Sequence, residues 1–561
     1  DLATPKGLNY YVKDGKEYVE WTKDDNAAAY ELKITGKKGG SATTVTPTLA
    51  ADATSYELDA SAFDADSDLT FELVAKSAGG ANNSLAATLT VTCGKVESVA
   101  YNDGKVTWAP VRNTAEYTVV LPDGTEAKTA KAEYASVTFN KAGDNAIIVK
   151  AGAASAEIKV TAYAITFMTN SITVPTLYHA YGDTVVLPDA DLTRTGYDFA
   201  GWADAAGVRL GESFVMDEKA TVTLYAAWEP KEYNVTLNVG DYGKDFEEGK
   251  NTVTVKYGKS DAVFFMPELN GADNSKLFYG WYTQPAGNGT RLTDENGIML
   301  RAYGSPYDST VYAHWVTAFE FEVAKTNEDG SAKSYSVKAG PEIDKFEGSA
   351  VTVPSTYNGK PVTLIESNAF YDCDFTVLNI PNSVYTIELI STDTGSAFSN
   401  CRYLEAINVY DVGELVLEQQ KRYFSEDGVL YFEREAEVTY YNNTEVAYVP
   451  RGKEGTLVIS DKAEVVPMGV LGSVDGTSTY SSHDFTEVEI PYSVTKIEDK
   501  AFVSNSRVLK VTFLAAPAGV QEKELTLGQL VFQGCSKLET IDFPARLATF
   551  DASVFDGCSK L

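Results

Sequence analysis

Apolar residues in this chain rarely recur at helical spacing over a long window. Short alternating runs dominate instead, such as KEYVEWT, YELKITG, GKVTWA and YNVTLNV. Gly, Asn, Asp and Pro punctuate them about every 8–12 residues, the signature of half-buried strands joined by turns. The pattern predicts a mostly β, multidomain chain, and a length of 561 residues suggests about four domains. Self-comparison then divides the chain, because three kinds of internal repeat emerge.

The first kind covers residues 1–163. EYVEWTKDDNAAAYELKITG is matched by GKVTWAPVRNTAEYTVVLPDG, and in each copy a Trp precedes a Tyr by nine residues: Trp21 and Tyr30, then Trp108 and Tyr117. A Trp on one strand and a Tyr on the next can pack across a two-sheet core. The segments resemble fibronectin type III or immunoglobulin-like sandwiches. Both Trp residues are expected in the core.

The second kind covers 164–230 and 231–317. In the first copy Tyr181-Gly182-Asp183 is followed by Leu187-Pro188, then RTGYDFAGW ending at Trp202 and ATVTLYAAW ending at Trp228. The second copy has Tyr257-Gly258, Pro267, FYGWY around Trp281 and STVYAHW ending at Trp315. It lacks the RxGY lead-in and carries a longer insert between its two Trp residues. Both copies resemble the Listeria–Bacteroides (internalin B-type) repeat, and the resemblance implies a small β-grasp-like fold in a secreted or surface protein. The four Trp residues are expected in the core. Gly201 and Gly280 are expected to leave room for the adjacent indole.

The third kind covers 318–561. An Ala-Phe or Val-Phe pair is followed three residues later by Cys or Asn, and then by a strand with apolar residues at i, i+3 and i+5. Phe375/Leu378/Ile380, Leu404/Ile407/Val409, Phe485/Val488/Ile490, Val508/Val511/Phe513 and Leu538/Ile541/Phe543 are such triples. Pro381, Pro491 and Pro544 follow three of the strands. VFQGCSKLETIDFP and VFDGCSKL place Phe532/Phe555, Cys535/Cys558 and Leu538/Leu561 each 23 residues apart. That period, with its L-x-x-I-x-I strand, is leucine-rich-repeat arithmetic. The specific form resembles the BspA-type repeat of bacterial surface proteins, with FSEDGVLY and AYVPRGKEGTLVI as a degenerate copy. Stacked coils imply one continuous core and a parallel sheet along one face. The last coil stops at Leu561 without a polar capping repeat, so the natural protein is expected to continue beyond it.

Composition narrows the chemistry. The formal net charge is −32 with no basic block, which excludes phosphate-backbone binding as the main role and disfavours docking on anionic lipid. No apolar run reaches membrane-spanning length, so no direct membrane insertion is expected in this segment. The chain opens with DLATPKGLNYY and shows no signal peptide, sorting motif or lipidation site. Five cysteines without a CxxC pair argue against a disulfide scaffold. Cys373, Cys401, Cys535 and Cys558 hold equivalent turn positions, shared by Asn505, and are expected to be buried free thiols and not metal ligands. His179, His314 and His483 fall in different modules with no nucleophile partner, and no GxSxG, HExxH, P-loop or GxGxxG signature is present. The acidic stretches 64–68 (DADSD) and 293–297 (TDENG) do not match a Ca²⁺ loop and are expected to be solvated turns.

The resulting fold class is mostly β: two immunoglobulin/fibronectin-like sandwiches (1–93 and 94–163), two small β-grasp-like repeats (164–230 and 231–317) and a leucine-rich-repeat solenoid (318–561). No catalytic residue, metal ligand, cofactor or ligand-contact residue can be assigned from sequence, and the chain is not expected to be an enzyme. The resemblance implies an extracellular protein of the bacterial cell surface, with the solenoid presented on a stalk of β modules. Expected partners are a host or bacterial surface protein or a large glycan, and not nucleic acid. Three readings follow: an adhesin or ligand-binding protein, a glycan-binding protein for polysaccharide capture, and a structural spacer or coat component. The glycan reading predicts exposed, clustered aromatics. The structural reading predicts rigid contacts between modules and self-association.

Overall fold

The computed structural model describes residues 2–80, 82–169, 172–389, 395–413, 422–434, 443–472, 483–551 and 553–561. Among them, every regular element except three single-turn 3-10 helices is a β-strand, as the period-two alternation predicts. The strands fall into two units, Asp1–Lys231 and Glu232–Leu561.

In the first unit, strands Asn9–Lys13, Lys16–Glu20 and Ser55–Glu57 form one sheet, and Ala29–Lys38, Ser41–Val45, Leu69–Lys76 and Ala87–Val91 form another. Leu69–Lys76 alternates strictly between buried and half-buried positions, because successive side chains point to opposite faces. Trp21 packs on Tyr30 with ring centroids 5.6 Å apart, and Trp108 on Tyr117 at 5.2 Å. Each Tyr also closes its own loop. The Tyr30 hydroxyl accepts from the Asp24 backbone N–H (2.6 Å), and the Tyr117 hydroxyl from the Val111 N–H (2.7 Å). The paired spacing thus encodes a core contact and a loop anchor together.

The two sandwiches meet at a buried ion pair. The Arg112 guanidinium donates in bidentate fashion to Glu17 (Nε–Oε1 3.0 Å, Nη2–Oε2 2.9 Å), and its Nη1 reaches the carbonyls of Asp64 and Ser67. The Tyr10 hydroxyl donates to the same carboxylate at 2.5 Å. Burial alone would raise the Glu17 carboxyl pKa, but the hydrogen bonds from Arg112 and Tyr10 outweigh it and hold the pKa below its ordinary value.

Past residue 143 the second sandwich and the first repeat share a sheet. The single strand Ala154–Met168 pairs with Gly143–Ala151 at one end and with Leu177–Ala180 and Val222–Pro230 at the other. It crosses the position where the sequence suggested a boundary, 163/164. Both repeats have the same sheet plan. The first and last strands run parallel, the third strand pairs antiparallel with the last, and the second with the first.

Trp202 and Trp281 are fully buried, and their indole N–H groups donate to the Pro188 and Phe265 carbonyls at 2.9 and 3.0 Å. The closing Trp228 and Trp315 pack against the same cores from the edge, half-buried and edge-on against Phe199 and Phe278. Gly201 (φ +90°) and Gly280 (φ +146°) lie in or beside β-bulges, where the backbone angle itself favours glycine. A Cβ at Gly280 would also press on the Thr293 carbonyl oxygen.

The solenoid has two parallel ladders in place of the one expected. On one side run Ala350–Thr352, Val377–Pro381 and Ala406–Tyr410, and later Gly455–Val458, Phe485–Ile490, Lys510–Phe513 and Thr540–Asp542. On the other, Ala332–Ala339, Lys360–Ile365 and Thr386–Ile387 are parallel, as are Asn443–Tyr448, Val465–Val466, Lys496–Ile497, Leu525–Leu527 and Leu547–Phe550. The step from Val488 to Val511 keeps the period read from sequence, and the steps from Val351 to Leu378 to Ile407 and from Val511 to Ile541 are longer.

Among the described residues, the expected single core falls into two clusters. The degenerate copy folds as an antiparallel hairpin, Tyr423–Glu426 with Val429–Arg434, between two clusters. Val429 belongs to one cluster and Leu430 to the other, because neighbouring strand residues face opposite ways.

Two expectations about stability follow. Arg112→Leu leaves a buried carboxylate unpaired and costs about 3–5 kcal/mol, while the double variant Glu17→Met/Arg112→Met loses far less. Denaturant titration, with hydrogen exchange reporting on residues 1–120, measures both. His483 is buried, with Nε2 3.1 Å from the Val449 carbonyl and Nδ1 without a partner among the described residues. Burial, with Arg451 adding to it, pushes the imidazolium pKa down to about 4. The unfolded ring takes a proton near pH 6.5. The neutral ring's contribution is therefore complete above that pH and fades as pH falls towards 4. The urea midpoint of the solenoid should drop over this window, and His483→Leu should flatten the slope.

Candidate functional site

Strand alternation sends every second ladder residue outward, and these positions form a regular surface in the second unit. Val351, Leu378 and Ile407 point into the core, so their neighbours Thr352, Asn379 and Asn408 line up outside. They hydrogen-bond as a ladder: Asn379 Nδ2 donates to Thr352 Oγ1, and Asn408 Nδ2 to Asn379 Oδ1, both at 3.0 Å. Further along, Thr456, Glu487, Lys510 and Thr540 fall in one register, and Val458, Glu489, Thr512 and Asp542 in the next. The surface is mixed in polarity and, within each ladder, held by main-chain pairing. It can bind by shape and hydrogen bonding.

The four late cysteines and Asn505 sit where the sequence placed them, at buried or half-buried turns. Three of the thiols reach across coils. Cys401 Sγ donates to the Phe370 carbonyl (2.8 Å), Cys535 to Phe502 (3.2 Å) and Cys558 to Phe532 (3.1 Å). Asn505 does the same with Nδ2 on the Leu471 carbonyl (2.8 Å), while its Oδ1 accepts from the N–H groups of Arg507 and Val508. Cys373 makes only a weak contact inside its own turn. All five cysteines are free. Burial pushes the Cys401 and Cys535 thiols up to about 11 and about 12, so they are protonated at neutral pH and poor nucleophiles.

The three histidines are not brought together. His314 packs edge-on to Tyr282, and burial lowers its pKa. His483 lies inside the solenoid, and His179 borders a cleft in the first unit. The acidic stretches are occupied with backbone. Asp64 accepts from the Gly39 and Gly40 N–H groups, Asp68 from Cys93 N–H, and Asp294 from the N–H groups of Asn296 and Ile298. Among the described residues no three of His, Cys, Asp and Glu converge as a metal-holding group, and no helix is long and apolar enough to cross a membrane.

Sequence reasoning missed the residues that join modules. Tyr101 of the second sandwich donates to Asp183 of the first repeat (2.8 Å), and Asp103 accepts from the N–H and hydroxyl of Thr184 (2.6 and 3.0 Å). Beside these bonds lies a cleft of about 250 Å³ bordered by Tyr101, Phe139, Tyr178, His179 and Asp183. In the second unit, Arg291 covers the Tyr279 ring (3.6 Å) and pairs with Glu295, which also bonds Ser349 of the first coil. One signal was legible. Where the first repeat has Tyr181-Gly182-Asp183, the second has Tyr257-Gly258-Lys259, so the copies cannot share this joint.

Comparison with known proteins agrees with the repeat assignment. Residues 163–227 match the Listeria-Bacteroides repeat domain, and residues 359–440 and 475–561 match the BspA type leucine rich repeat region in six copies. A protein of Evansella cellulosilytica named as a Gly-rich membrane protein is 29% identical over 192 residues, covering 31% of this chain. The chain spans only 20% of that relative's length. Among solved structures, a leucine rich repeat protein of T. pallidum is 21% identical, with 44% of this chain and 88% of that one covered and a TM-score of 0.24. A leucine rich cell surface protein of Faecalibacterium prausnitzii is 14% identical, with 44% and 92% covered and a TM-score of 0.20. The pneumococcal vaccine antigen PcpA is 15% identical, with 54% and 82% covered and a TM-score of 0.20. This chain is thus a multidomain β protein that carries a Listeria-Bacteroides repeat and BspA-type leucine-rich repeats.

Proposed function

We propose that the protein is an extracellular, cell-surface adhesin or ligand-binding protein of a bacterium, in which the leucine-rich-repeat face contacts the partner and the preceding β modules serve as its support. The observation that carries this reading is the outward positions of two ladders, Thr352–Asn379–Asn408 and Thr456–Glu487–Lys510–Thr540, each held in register by parallel main-chain pairing. Such a face is wide and rigid, which suits a protein or a large glycan. Its mix of Thr, Asn, Glu and Lys suits hydrogen-bonded recognition of a protein surface better than ring stacking on sugars.

A second reading, a structural spacer of the cell envelope, draws support from the joints Glu17–Arg112 and Tyr101–Asp183, which fix neighbouring modules. Fixed joints serve a support equally well, so they do not displace the first reading.

The full chain should be screened against host matrix proteins, bacterial surface proteins and glycan arrays. A hit should weaken at least tenfold in Asn379→Arg/Asn408→Arg or in Glu487→Arg/Lys510→Glu, with the melting temperature unchanged. Binding that survives both variants, or that resides in residues 1–231 alone, sinks the solenoid-face reading. Concentration-dependent assembly without any hit favours the spacer.

A further inference from the structure

The cleft between the second sandwich and the first repeat contains a carboxylate that the protein satisfies on one side only. Asp183 is 2% exposed. Its Oδ2 accepts from the Tyr101 hydroxyl and the Ala180 N–H, both at 2.8 Å. Its Oδ1 is buried and has no hydrogen-bond partner among the described residues. A buried charged acceptor without a donor is costly, and such a group in a native fold calls for an explanation.

The surroundings narrow what could supply the donor. The cleft is bordered by the rings of Tyr101, Phe139, Tyr178 and His179 and by two carboxylates, Asp103 and Asp183, with no Lys or Arg among its lining residues. His179 Nδ1 stands 3.7 Å from Oδ2, too far for a hydrogen bond and on the oxygen already served. Both Asp103 oxygens are engaged by Thr184. No Lys or Arg therefore compensates Asp183, and the His179 ring is the one lining group that can carry a positive charge near it. An anionic ligand is excluded by this charge. A neutral sugar could donate to Oδ1 but would leave the charge unbalanced. An ammonium group supplies donors and charge together, and aromatic faces attract it further.

We propose that this cleft binds an alkylammonium group, supplied by a lysine side chain of a partner protein or by a free polyamine. The ammonium pairs with the Asp183 carboxylate at the cleft wall, and the alkyl chain lies against Tyr101, Phe139 and Tyr178. The site belongs to the first repeat alone, because the second copy has Lys259 where the first has Asp183. It does not depend on the solenoid face acting as a binder.

The test is calorimetry on the full chain with two probes, 1,5-diaminopentane and Nα-acetyl-lysine methylamide. Its comparators are the Nε-acetylated form of the second probe and glucose. One equivalent of amine should bind, the acetylated form should not, and Asp183→Asn and Phe139→Ala should each weaken binding at least tenfold. Glu116→Gln, at an exposed acid elsewhere in the unit, should leave it unchanged. Should Asp183→Asn unfold the joint, Phe139→Ala decides alone, since that ring makes no polar contact there. Binding of the diamine only points to a polyamine as the source, and binding of both shows that a single lysine suffices. The proposal is overturned if neither amine binds, if glucose or the acetylated probe binds equally well, or if amine binding is the same in Phe139→Ala, which would be general attraction to an acidic chain.

Discussion

A coil of the solenoid has one apolar edge and no second layer to cover it, so it is stable only when another coil lies against that edge. Nearly everything in the second unit answers this constraint. The Phe side chains stack coil on coil, as with Phe370 on Phe398 and Phe502 on Phe532 on Phe555. Main-chain bonds run with them. The N–H of Phe370 donates to the Ala397 carbonyl, and that of Phe532 to Val554. The thiols of Cys401, Cys535 and Cys558 and the amide of Asn505 return a bond to the coil before. The cysteine positions are thus answers to a stacking problem: a small side chain that fills apolar space and still offers one donor. At its first coil the same demand is met by another module. Val316, Ala318 and Phe319 share the first solenoid cluster with Leu277 and Tyr279 of the second repeat, so the repeat covers the first coil.

The first unit solves a different problem, that of fixing small β modules to one another when each already has its own core. It does so with buried polar contacts. A bidentate Arg112–Glu17 pair is directional in a way that an apolar contact is not, and removing either partner is far more damaging than replacing both. The Asp183–Tyr101 bond and the shared strand Ala154–Met168 continue this arrangement into the first repeat. These contacts narrow the relative positions of the modules, which suits a support as well as a cleft whose walls come from two modules.

Much of this was legible in the sequence, for a physical reason. Core positions repeat with the geometry of the element, so Trp21/Tyr30, Trp108/Tyr117, Trp202, Trp281 and the Ala-Phe/Cys coils all announce themselves by spacing. The closing Trp228 and Trp315 join those cores but stay half-buried, because the pattern marks a residue as part of an aromatic cluster without saying how far the cluster is covered. The bulges at Gly201 and Gly280 went unseen for a related reason. A bulge changes the local register and depends on how the facing strand pairs, which no linear motif records. The second ladder was missed because its strands, such as Thr386–Ile387 and Val465–Val466, are only two residues long and too short to show a period.

The candidate sites divide in the same way. The outward solenoid face followed from the repeat, since inward positions fix outward ones. The joints and the cleft did not, because Tyr101 and Asp183, like Glu17 and Arg112, lie far apart in the chain and belong to no repeated pattern. The sequence by itself determined which modules this protein has and which residues fill their cores, because those choices are local and periodic. Only the tertiary structure decided how modules join, where the two solenoid cores divide at Val429 and Leu430, and which carboxylate is left half satisfied, because those outcomes depend on single long-range contacts that pattern cannot carry.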